Sequence, residues 1–160
     1  MIPAGALDDL PTGPGAYALL LRLAEPAAAP TRAFSSAVLA PGTYLYAGSA
    51  WGPGGIRARV LRHARRGKAR HWHIDSLTEV ADLAGVLAFP GGRECGLIER
   101  GRALPGTSVP IPGFGSSDCR SCAAHLLAVP PDNGFAALIA GLGDHAPLWQ
   151  GPLAPGLPQA

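Results

Sequence analysis

Charge is scarce in this chain. Only 15% of its residues are Asp, Glu, Lys or Arg, against 48% hydrophobic, which excludes a disordered or heavily solvated polypeptide. Long apolar runs are missing too: none reaches the roughly 18 residues that a membrane span needs. The first residues carry Asp8 and Asp9 and no basic stretch, so no secretory signal is expected and a cytoplasmic location is. Cysteine is sparse, with Cys95, Cys119 and Cys122 alone. An odd number that includes a C-x-x-C pair suits reduced thiols or a metal site better than a disulfide scaffold. Internal repeats are absent. Glycine and proline are plentiful, at 22 and 17 residues, and fall in connections that shorten the regular elements. A length of 160 residues fits a single core.

The segment 15–23, GAYALLLRL, is a continuous apolar run and predicts a buried strand. Residues 37–39 and 43–47 form a second strand region, broken by Pro41 and Gly42. The two regions are expected to pair antiparallel, because the connection between them is too short for a crossover helix. A glycine-rich turn follows, and then a helix over 56–66, with Ile56, Val60, Leu61 and Ala64 facing inward. A short helix at 73–80, a strand at 83–89, a helix at 94–103 and an edge strand at 125–129 complete the reading. This order predicts an α+β fold: a small, mostly antiparallel sheet of three to four strands flanked by helices. Residues 1–145 are expected to form the domain, with 146–160 a loosely attached proline-rich tail.

Seven of the 13 basic residues lie in one stretch: Arg57, Arg59, Arg62, Arg65, Arg66, Lys68 and Arg70, with no acid before Ile74. His63, His71, Trp72 and His73 are interleaved. Such a segment is an electrostatic footprint for a polyanion, with each neutralised phosphate releasing counterions. Trp72 is a candidate to stack on an unpaired base. The plainer alternative is a solvated helix face. If the charges touch phosphates, replacing Arg65, Arg66 and Lys68 is expected to weaken binding and leave stability nearly unchanged.

Gly15-Ala16-Tyr17 opens a strand, Tyr46-Ala47-Gly48 closes one, and a helix carrying Arg59 and His63 follows. This order is similar to the two half-motifs and the arginine-bearing helix of the GIY-YIG endonuclease superfamily. The strings HWHID at 71–75, REC at 93–95 and PGFGSSDC at 112–119 resemble its short stand-alone Uri-type branch. The resemblance implies a metal-dependent endonuclease that hydrolyses phosphodiester bonds in DNA, with single-stranded or damaged DNA as a candidate substrate. It implies Tyr17 as base or water-positioning group, Tyr46 as orienting group, and Arg59 as phosphate clamp. It also implies His63 as proton relay and Glu94 as ligand to one Mg²⁺ or Mn²⁺. Arg57, Arg62, Arg65, Arg66, Lys68, Arg70, Trp72 and His73 are then the candidate nucleic-acid contacts. Ala16 departs from the family's aliphatic residue, and Gly96 weakens the helix holding Glu94. No counterpart is evident for a late Asn, a region where Ser117 or Asp118 falls. Taken singly, each tyrosine also reads as a strand aromatic, Arg59 and His63 as surface helix residues, and Glu94 as an ordinary first-turn acid.

Cys95, Cys119, Cys122 and His125 are numerous enough for a Cys₃His zinc site. The spacing works only if Cys95 folds onto the later loop, and free thiols with a surface histidine are the favoured reading. Ser116, Ser117 and Asp118 read as turn caps before phosphate contacts. Two rivals to a nuclease stand: a non-catalytic nucleic-acid-binding module of the same fold, and a zinc-stabilised interaction protein.

Overall fold

The computed structural model of the chain describes residues 5–28, 37–116, 119–130, 134–141 and 149–151. The predicted first strand is β1, Gly15–Leu23. Every residue in it but Arg22 is buried, because both of its faces are covered. That is why it reads as an unbroken apolar run rather than an alternating one. It pairs antiparallel with β4, Gly42–Ser49, and with β5, Asp82–Pro90. The short strands β2, Ala27–Ala28, and β3, Val38–Leu39, form a separate two-stranded sheet, where the sequence reading merged 37–39 with the main strand. At one edge β6, Leu126–Val129, joins β4 as the expected edge strand. At the other edge β7, Trp149–Gly151, joins β5. The main sheet thus has five strands in the order β6-β4-β1-β5-β7. It takes up part of the segment expected to be a loose tail, so the fold reaches past residue 145.

Alternate side chains of this sheet serve two cores. Tyr17, Leu19, Leu21, Tyr46 and Val86 face α1, Gly55–Ala64, and α2, His73–Thr78, through Ile56, Val60, Ile74 and Leu77. Ala18, Leu20, Leu45, Leu87 and Leu127 face α3, Glu94–Arg102, and α4, Gly134–Gly141, through Leu97, Ile98 and Leu138. The α+β class holds, with helices on both sides. The inward stripe of α1 is Ile56, Val60 and His63, spaced so that all three share one face at about 100° per residue. Leu61 is 39% exposed and Ala64 is exposed, against the sequence reading. His63 takes the place expected for an apolar residue. Gly96 does not interrupt α3, which runs unbroken across it. Among the described residues no helix is long and apolar enough to cross a membrane.

A candidate active-site cleft beside a cysteine cluster

β1 and β4 bring the two tyrosines together. Tyr17 lies opposite Gly48 in the ladder, and a Cβ at Gly48 would collide with the hydroxyl end of the Tyr17 ring. The glycine that ends the second half-motif is the space in which Tyr17 lies. The Tyr17 and Tyr46 ring centroids are 6.5 Å apart. Helix α1 adds Arg59 and His63 from one face, four residues apart. Its start is held by main chain rather than by a side-chain cap: Ile56 N–H donates to the Gly13 carbonyl and Arg57 N–H to that of Pro11, both at 3.0 Å. Glu94 comes from the first turn of α3, on the other side of the sheet.

Tyr17, Tyr46, Arg59 and Glu94 line one cleft of about 370 Å³, together with Trp51, Trp72, Cys119 and His125. His63 stands behind it, 2% exposed. Its Nε2 is 2.7 Å from the Tyr17 hydroxyl. Burial, then the charges of Arg62, Lys68 and Arg59, outweigh the pull of Asp75 and bring the His63 imidazole down to about 3. It is neutral, and in the tautomer with its hydrogen on Nδ1, toward Asp75, Nε2 is the acceptor for the Tyr17 hydroxyl. Nδ1 has no hydrogen-bond partner among the described residues and lies 3.9 Å from Asp75 Oδ1. Burial raises both tyrosine hydroxyls above their ordinary range, Tyr17 strongly, and each is raised further by nearby charge. A phenol needs nearby positive charge to lower it before it can stand as a ready base. Arg59 and Arg62 do pull that way, but desolvation wins.

Asp75 was part of the HWHID string but held no assigned role. It is fully buried. Arg62 donates to it through both terminal nitrogens, at 2.6 and 3.0 Å, and the N–H groups of His71 and Trp72 donate at 2.7 and 2.9 Å. Burial pushes its carboxyl up, but these donors prevail and hold it at about 2. Trp51 was also missed. It is 46% exposed at the rim, with the Arg93 guanidinium 4.9 Å from its ring centroid. Neither role has a local sequence signal, since both depend on partners distant in the chain.

The basic segment is less free than its sequence suggests, because acids return to it from α2, the turn after it and the start of β5. Arg62 is held by Asp75, Arg66 by the Glu79 and Ala81 carbonyls and by Asp82, and Lys68 by Glu79 and the Arg65 carbonyl. Arg57 lies 3.8 Å from Asp8. Arg65 and Arg70 stay exposed. Trp72 is half-buried and lines the cleft, with the guanidiniums of Arg59 and Arg62 packed 4.4 and 4.5 Å from its ring centroid. His73 Nδ1 accepts the Gly115 N–H at 3.0 Å and braces that loop. Ser117 and Asp118 lie outside the described residues. Ser116 is buried and its carbonyl accepts the Cys119 N–H at 2.9 Å, as a turn residue does.

Cys95 does fold onto the later loop. The ligand atoms of Cys95, Cys119, Cys122 and His125 lie within 4.8 Å of one another, a set able to hold a metal ion. The three cysteines are free of disulfides, but His125 is 5% exposed, so the expected surface histidine is corrected to a buried one. No curated protein and no solved structure matches the chain. A family model described as "Domain of unknown function DUF123" matches residues 16–144, and the chain belongs to that family.

Proposed function

We propose that this chain is a metal-dependent endonuclease of the GIY-YIG type, hydrolysing phosphodiester bonds in DNA. The observation that carries the reading is the shared cleft: Tyr17, Tyr46, Arg59 and Glu94 line it, and His63 is bonded to Tyr17 from behind. Exposed Arg65 and Arg70 offer charge to the flanking backbone.

In-line hydrolysis needs a water stripped of a proton and charge stabilised at phosphorus. A buried phenol with a raised pKa cannot wait as a phenolate. It acts instead by taking the water's proton on its oxygen while passing its own to His63 Nε2, so Tyr17 stays neutral throughout. The resulting imidazolium has Asp75 Oδ1 beside Nδ1, and a phosphodiester anion in the cleft favours it further. Arg59, braced on Trp72, grips the phosphate through its planar fork. Tyr46 orients the water or a phosphate oxygen. Glu94 is the residue to hold Mg²⁺ or Mn²⁺: no described cation pairs with its carboxylate, and one carboxylate suits an ion that keeps most of its waters. When bound, that ion supplies charge stabilisation at the scissile phosphate.

The test is single-turnover cleavage of labelled single- and double-stranded DNA in Mg²⁺, Mn²⁺ or EDTA, beside a binding measurement. Glu94→Gln and Tyr17→Phe should each slow cleavage roughly a thousandfold while still binding DNA. Wild-type rates from Glu94→Gln, or a wild-type chain inert on every DNA offered, would sink the proposal.

A further inference from the structure

The cysteine cluster has chemistry of its own. A tetrahedral zinc with Zn–S bonds of about 2.3 Å sets its sulfurs about 3.8 Å apart. Here Cys95 Sγ is 3.5 Å from Cys119 Sγ and 3.9 Å from His125 Nε2, and the whole set falls within 4.8 Å. A disulfide is a poor alternative, because the S–S bond is about 2.0 Å and would leave Cys122 and His125 idle. Three thiols and an imidazole are soft donors that select zinc over the oxygen-seeking ions. Four protein ligands leave no open position, which marks a structural site rather than a catalytic one. Three thiolates also outweigh the charge of a divalent ion, so the loaded centre would repel phosphate rather than anchor it.

The ligands come from separate parts of the chain. Cys95 is the second residue of α3, adjoining Glu94. Cys119 and Cys122 come from the irregular connection at 103–125, and His125 ends it. That connection exceeds the roughly 12–15 residues usual for a loop with no regular structure. Among its described residues, Gly113 N–H donates to the Ala123 carbonyl and His125 N–H to that of Phe114, which folds the connection back on itself. Cys119 and His125 also line the cleft, so the cluster forms part of its wall.

We propose that Cys95, Cys119, Cys122 and His125 form a closed Zn²⁺ site that ties the first turn of α3 to this connection and so holds Glu94 at the cleft. The site itself is independent of the nuclease reading; only the catalytic meaning of holding Glu94 rests on it. The full chain, purified without chelator, should contain one zinc by elemental analysis. Replacement by Co²⁺ should give the intense visible bands of a thiolate-bound tetrahedral ion. Cys119→Ser and Cys122→Ser should lose the metal, and His125→Cys should keep it. If a serine variant does not fold, the Co²⁺ spectrum of the wild-type chain decides. Zinc removal should speed amide exchange in the first turns of α3 roughly tenfold or more, and zinc returned should reverse this. Zinc well below one per chain, or Co²⁺ bound without thiolate bands, overturns the site. Unchanged exchange in α3 overturns the anchoring of Glu94. A zinc-loaded chain that cuts no nucleic acid leaves the site standing and removes the nuclease reading instead.

Discussion

His63 is the residue on which chemistry and stability meet. It is buried on the inward stripe of α1, neutral, and bonded to Tyr17. In the unfolded chain it titrates near 6.5, and in the folded chain burial brings it to about 3. Between those values the unfolded state binds the extra proton, so stability is full above pH 6.5 and falls as the pH drops toward 3. Denaturant unfolding from pH 7 to 4 should show a loss of up to about 1.4 kcal/mol per pH unit. His63→Gln should flatten that slope, and parallel curves for the two proteins would refute the assignment. Asp75, held at about 2, adds stability that is full above the ordinary carboxylate range and is lost as the pH falls from there toward 2. That the tyrosines, Arg59 and Glu94 share one cleft could be anticipated because the half-motifs and the R-x-x-x-H spacing are local. The burial of His63 was not: its partner Tyr17 lies 46 residues away, and no local pattern reports such a contact.

Among the elements, β1 was readable because a strand covered on both faces keeps an apolar run. Helix α4 was not. Its segment GFAALIAG is apolar all round, so no stripe at helical spacing separates an inner face from an outer one. The end of α1 shows a different failure, since sequence alone counted Lys68 as one more free cation. Its side chain is 1% exposed. It folds back over the helix end, donating to the Arg65 carbonyl at 2.7 Å and the His63 carbonyl at 3.4 Å, and it meets Glu79 at 3.2 Å. A cation there satisfies carbonyls the helix cannot and opposes the dipole. Lys68→Ala should therefore cost about 1–3 kcal/mol, whereas Arg65→Ala, at an exposed position, should stay within about 0.5 kcal/mol. Urea titrations of both variants check the contrast, and equal small effects would restore the picture of a purely solvated basic face. Triple replacement of Arg65, Arg66 and Lys68 is accordingly a poor probe of phosphate contact, because it loosens the fold as well.

Across the whole molecule, the pairing of β1 with β4 and the α+β class followed from order and loop length. The sheet's outer boundary did not. β7 is three residues long and prolines flank it at 147 and 152, so nothing in its composition announces a strand. Yet Val86, Leu87 and Ala88 of β5 pair with Gly151, Gln150 and Trp149. A chain ending at residue 145 would leave that side of β5 with unpaired N–H and C=O groups, an open template for another strand. The shortened protein should melt at a lower temperature and form dimers or larger species at micromolar concentration, by sedimentation velocity. A monomer with unchanged melting would show the strand to be dispensable. β7 thus has a social role: it keeps one copy of the protein from recruiting the next through the flank of β5, and a fusion that disturbs Trp149–Gly151 would invite aggregation with every residue of the cleft untouched.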